Sequence, residues 1–189
     1  MNTPAHLVMG MAAFSRPGAP LVTAAALAGA LAPDLSLYLL TGWEIGVRGT
    51  PPETVFRQLY YSDAWQAVFA VDNSIPLWAI VLAAGLALDR AWIVALAGAA
   101  LLHLGFDLML HADDGRRHLW PLSDWVFASP VSYWDPRHHG GIVGPLEAAG
   151  TLALAALVWR RHRAPAARAI VAALAVLEAA PFVMWGMIL

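Results

Sequence analysis

The chain has 189 residues, 60% of them hydrophobic and only 13% charged, with a mean hydropathy of +0.61. Soluble domains carry about 25% charge, so this balance predicts an integral membrane protein. The net charge of −2 rests on eleven basic residues, all arginine, and gives no electrostatic footprint for nucleic acid; the absence of cysteine excludes disulfides, thiolate metal sites and cysteine nucleophiles, so any metal must be held by nitrogen and oxygen.

The first apolar segment, residues 5–14, is too short to cross about 30 Å of hydrocarbon and reads as a half-span. No basic residue precedes Arg16, so MNTPAHLVMGMAAFSRPG lacks the charged start of a cleavable signal peptide and is taken as part of the fold. After the break SRPGAP come apolar segments at 20–40, 64–88, 91–110, 142–159 and 169–189. They are separated by short breaks at Asp89-Arg90 and RRHRAPAAR, and by longer polar connections at about 41–63 and 111–141. The expectation is an all-α polytopic transmembrane helical bundle forming a single membrane-embedded domain. It has about five spanning helices, a short N-terminal half-span and an interfacial loop.

Arg16, Arg90, Arg160, Arg161, Arg163 and Arg168 all fall in the short breaks, which places those breaks on the cytoplasmic side and the two long connections on the extracytoplasmic side. Connection 111–141 carries Trp120, Trp125, Tyr133 and Trp134 among short apolar runs, a composition suited to the headgroup level. The alternative is a compact extramembrane loop with a small core. The predicted location is a membrane, with membrane lipid as a partner. Small-residue faces such as AALAGALAP permit a homo-oligomer as readily as a monomer.

Ionisable residues inside membrane helices are costly and mark function. Counted from the nearest cytoplasmic arginine, His6, Asp34, Asp72, His103, Asp107 and Glu147 lie ten to eighteen residues away. At 1.5 Å per residue this is one layer at roughly 15–27 Å. His103 and Asp107, at i and i+4, share a helix face, and His111 continues it one turn on. Imidazole and carboxylate suit a divalent metal, zinc foremost, with manganese or iron as alternatives. His6 and Asp34, brought together by the SRPGAP turn, would supply the remaining ligands. Each residue also has a plainer reading. An i, i+4 His/Asp pair can simply hydrogen-bond a neighbouring helix, Asp34 can cap a helix after Pro33, and Glu147 can be an acid of a first helical turn after Pro145. Glu178 is either a supporting partner or a bundle hydrogen bond, and Asp113, Asp114 and Asp124 read as solvated loop charges.

TPAHLVMG at the start, APDLSLYLL at 32–40 and HLGFDLMLHADDGRRHLWPL at 103–122 resemble the three signatures of the YdjM-like family of inner-membrane, metal-dependent hydrolases. That family's pattern is an N-terminal histidine, a Pro-Asp at a helix end, a central His-Ser, and a His-x-x-x-Asp before a Trp-Pro loop. His6, Asp34, His103, Asp107 and Trp120-Pro121 match it. The chain departs at the centre, where VDNSIPLW puts Asn73 before Ser74; Asp72 beside it is the substitute ligand. DGRRHLWPLSDWVFASPVSYWD also resembles proteins whose name links them to cobalamin biosynthesis, but the chain has neither a cysteine nucleophile nor a P-loop for that chemistry.

The resemblance implies location in the bacterial inner membrane and hydrolysis at an extracytoplasmic metal site. His111, His118 or Glu147 would act as general base, and Arg116, Arg117 and Arg137 would bind a phosphate bidentately. The interfacial loop favours a lipid-phosphate or other small-molecule substrate delivered from the membrane. The competing classes are a pseudoenzyme, a scaffold and a transporter. A transporter needs a polar track through the bundle, whereas AIVLAAGLAL and LALAALVW are wholly apolar.

Overall fold

The computed structural model describes the backbone of residues 1–188 and the side chains of residues 1–180. Among the described residues all regular structure is helical: α1 (Thr3–Phe14), α2 (Pro20–Gly46), α3 (Pro52–Thr54) running into a π-helical turn (Val55–Leu59), α4 (Asp63–Asp72), α5 (Ile75–Ala87), α6 (Ala91–Leu110), a short turn (Pro136–His138), α7 (Gly140–Arg161) and α8 (Pro165–Ile188). Pro4, Pro20 and Pro76 sit in the first positions of α1, α2 and α5, where a missing N–H costs nothing. Ser62 and Ser74 cap α4 and α5 by accepting from the Trp65 and Leu77 amides.

Among the described residues four stretches are long and apolar enough to cross a membrane: Pro20–Gly46, Asp63–Ala87, Ala91–Leu110 and Gly140–Arg161. The protein is therefore an integral membrane helical bundle. The last predicted span, 169–189, runs into residues outside those described. At 12 residues α1 is only about 18 Å long, the half-span expected.

Two predicted boundaries are corrected. Segment 64–88 is not one helix: it stops at Asn73 and restarts beyond Ser74, whose hydroxyl takes the Leu77 amide and donates to the Trp120 carbonyl at 2.5 Å. The Ile75 amide bonds the His118 carbonyl at 2.9 Å, so the break is clasped by the 111–141 connection. In turn α2 runs six residues past position 40, and its buried Glu44 accepts from Arg48 and Thr50, which close the helix end.

α2 and α6 pack closely because both are rich in Gly and Ala. A Cβ on Gly29 would collide with the Leu96 carbonyl. In lipid no hydrophobic gain drives helices together, so this backbone approach and its dispersion contacts supply the association. α1 lies among α2, α6, α7 and α8, with Val8 and Met11 buried against Val158, Val171 and Leu174. Arg161 of α7 ties it down by donating to the Met11 and Ala12 carbonyls at 2.6 and 2.9 Å. The 111–141 connection folds back on α6 through Ser129 N–H to His111 C=O (3.0 Å) and Ser129 Oγ to Met109 C=O (2.6 Å), leaving Leu122, Trp125 and Trp134 exposed.

Candidate metal site and its cavity

His103 and Asp107 are buried one turn apart on α6, and His6 is buried opposite them on α1. His6 Nε2 lies 2.9 Å from Asp107 Oδ1, and His103 Nε2 lies 2.9 Å from Oδ2. The two imidazoles stack with centroids 3.5 Å apart and planes 8° from parallel, so both present Nε2 to one carboxylate. The Met1 amino group also donates to Oδ1, at 3.1 Å.

The proton positions on His103 follow from its other neighbour. Nδ1 lies 2.7 Å from the Ala30 carbonyl, in the turn of α2 that precedes Pro33. A carbonyl only accepts, so Nδ1 carries the hydrogen, and in the neutral ring Nε2 then has a lone pair aimed at the Asp107 carboxylate. Two acceptors at 2.9 Å require a cation between them or on the ring. An N–H donated to a backbone carbonyl is also the usual orientation of a metal-bound histidine.

Three coordinating atoms, one each from His6, His103 and Asp107, lie within 4.8 Å of one another. Asp34 Oδ1 is 3.8 Å from His103 Nε2, and its Oδ2 accepts from Thr3 Oγ1 at 2.5 Å. Asp34 sits inside α2 and does not cap a helix. His6 Nδ1 is buried with no partner. This nitrogen and oxygen set fits zinc, manganese or iron.

Of the other predicted ligands, Asp72 stays apart. α4 ends at it, and its Oδ1 accepts from Asn73 Nδ2, which also donates to the Pro33 carbonyl. His111 joins the cluster from the end of α6, with Nε2 3.3 Å from Asp107 Oδ1 and Nδ1 2.9 Å from Asp114 Oδ2. Burial opposes charge on His111, but the hydrogen bonds to Asp107 and Asp114 carry its pKa above the usual imidazole value. Glu147 accepts from the Asn2 amide at 2.7 Å, and its other oxygen is buried without a partner.

A cavity of about 480 Å³ opens beside the cluster, with Asp34, Asp107, His111, Asp114, Arg116 and His118 at its polar end. Leu37, Tyr38, Phe56, Tyr60 and Tyr61 form its apolar side, and Tyr38, Phe56 and Tyr61 are each about half exposed at the outer surface. Glu147 is not part of this lining. The Arg116 guanidinium lies 4.5 Å from the Tyr60 ring centre and 4.1 Å from that of Phe69, with a buried Nη1 that has no acceptor. Burial pushes the Tyr60 hydroxyl up to about 12, so it stays protonated. His118 Nδ1 lies 3.2 Å from the Asn73 carbonyl, leaving Nε2 as the ring's basic nitrogen, and burial lowers its pKa.

The three predicted phosphate-binding arginines thus separate. Arg117 donates to Asp124 at 3.2 Å. Arg137 is held by Asp135 (2.6 Å) and Asp113 (3.0 Å), carboxylates that with His138 form a second His/Asp group whose charge the guanidinium already answers. Only Arg116 lines the cavity.

Sequence reading missed Thr3, the Ala30 carbonyl, and the Tyr60 and Phe69 rings around Arg116. Thr3 lies three residues before His6, hence on the same helix face, a signal that was available. The Ala30 carbonyl and the two rings depend on tertiary approach and left none. Comparison with protein families, with curated proteins and with solved structures finds no match to this chain.

Proposed function

We propose that this protein is a membrane-bound, zinc-dependent hydrolase acting on a lipid-type phosphoester at the extracytoplasmic face of the bacterial inner membrane. The observation that carries this reading is that His6 Nε2 and His103 Nε2 each lie 2.9 Å from the one buried Asp107 carboxylate, which lines a cavity that also holds Arg116 with a buried, unpartnered Nη1. His6, His103 and Asp107 would hold the ion, with Asp34 as a further oxygen donor steadied by Thr3. A bound ion would supply Lewis acidity toward a water and a phosphoryl oxygen.

The chain's own groups do the rest. Arg116, pinned by two aromatic rings, receives phosphate oxygens with its free N–H groups. His118, with Nδ1 committed to Asn73, accepts or returns a proton at Nε2. His111 is the second candidate for that role, but two carboxylates already engage it. The half-exposed Tyr38, Phe56 and Tyr61 suit a substrate whose chain remains in lipid while its phosphate enters the cavity.

A non-catalytic packing role has one observation in its favour. Asp107 meets His6, His103, His111 and Met1 together, so the cluster links α1 to α6 without any ion. Elemental analysis of detergent-purified protein separates the two readings. The hydrolase reading expects near-stoichiometric zinc, manganese or iron that is lost in His103→Ala with Asp107→Ala, and hydrolysis in a phosphoester screen that Arg116→Gln weakens. A folded wild type that takes up no metal on reconstitution leaves only the packing role.

A further inference from the structure

The opposite end of α6 carries a second cavity, of about 410 Å³, where the breaks after α1 and after α5 meet. Arg16, Asp89 and Arg90 line it, together with the apolar side chains of Phe14, Leu86 and Val94. Neither the Arg16 nor the Arg90 guanidinium meets an acceptor among the described residues, and both are exposed. The Ala91 backbone, also in the lining, starts α6 with no side-chain cap on its amides and no acid in the first turn. Arg90 is thirteen residues from His103, roughly 20 Å along the helix, so this cavity is independent of the metal cluster.

Two unpaired guanidinia and an uncapped helix start call for an oxyanion. Asp89 narrows the choice: it repels a bare phosphate, but it accepts a hydrogen bond from a hydroxyl or ammonium group carried next to the phosphate. The apolar wall, with Leu86 and Trp92 facing outward, suits acyl chains. We propose that this cavity binds the headgroup of a membrane phospholipid, with Arg16 and Arg90 on the phosphate and Asp89 on a headgroup donor, as in a glycerol or ethanolamine headgroup.

Native mass spectrometry of the delipidated, detergent-purified protein tests this with phosphatidylglycerol, phosphatidylethanolamine and phosphatidylcholine in turn. Wild type should retain the first two in preference to the donor-free choline lipid. Arg16→Gln with Arg90→Gln should hold them about tenfold more weakly. Arg160→Gln with Arg163→Gln, which removes the same charge from exposed positions near the end of α7, should match wild type. Because Arg16 and Arg90 are exposed, their replacement should leave the helix content by circular dichroism unchanged. Equal retention by the two double variants, or no preference among the lipids, overturns the proposal. Displacement of the lipid by inorganic phosphate that binds as well alone would make this a free-phosphate site and also overturn it.

Discussion

Asp107→Asn separates a metal ligand from a packing residue, because the amide keeps the shape and gives up the charge. In the folded protein its NH2 can donate to the His103 Nε2 lone pair, while its oxygen still accepts from His6, so both 2.9 Å contacts survive. The buried Met1 ammonium, 3.1 Å from Oδ1, loses its counter-ion, so the stability cost should be about 1.5–3 kcal/mol, the worth of one hydrogen bond to a charged group. Metal affinity should also fall. Disturbing only the partners of a ligand costs roughly 10- to 100-fold, so loss of a charged ligand should cost more than about 100-fold, or about 2.8 kcal/mol. Zinc titration against a competing chelator gives the affinity, and thermal unfolding in the same detergent gives the stability. The reasoning is refuted if the variant melts like wild type and binds zinc within about threefold of it.

Further outcomes follow from other contacts. Gly29→Ala should destabilise the bundle by about 1–3 kcal/mol, because its Cβ meets the Leu96 carbonyl, whereas Gly105→Ala, with open space around it, should melt at or above wild type. Ser74→Ala removes the α5 cap and the clasp on Trp120 together; it should cost about 0.5–2 kcal/mol and speed amide exchange in residues 118–123. Arg116→Gln should weaken inhibition by vanadate, while Arg117→Gln, already committed to Asp124, should leave it unchanged. Burial lowers the His118 pKa in the folded state, so its contribution is present above the unfolded value of about 6.5 and is lost as pH falls below it. Wild type should lose more melting temperature than His118→Gln between about pH 7.5 and 5, and parallel losses would contradict the assignment.

The spans were legible because twenty apolar residues in lipid have few alternatives to a helix. His103 and Asp107 were legible because the i, i+4 spacing is a local property, and His6 and Asp34 because the SRPGAP turn fixes two neighbouring segments antiparallel. Asp72 misled because depth was counted along an unbroken helix, whereas Ser74 and Pro76 start a new one and leave Asp72 at the end of its predecessor. The arginines of the 111–141 connection were indistinguishable in sequence. Which of them is neutralised depends on Asp113, Asp124 and Asp135, whose positions come from how the connection folds back on α6.

The shortness of α1 bears on how such a protein is made. A helix of 12 residues gains little from the bilayer by itself, and its position here depends on α2 and α6, on Val158 and Val171 of the last two helices, and on Arg161 gripping its final turn. α1 thus precedes by more than a hundred residues two of the helices that fix it. A nascent chain halted before α7 would already hold its first spans in the membrane, with His103 and Asp107 in place on α6, while α1 still lacked its contacts with α7 and α8, residues 140–188. The cluster would be completed only with the full bundle, which keeps half-made copies from presenting an assembled site.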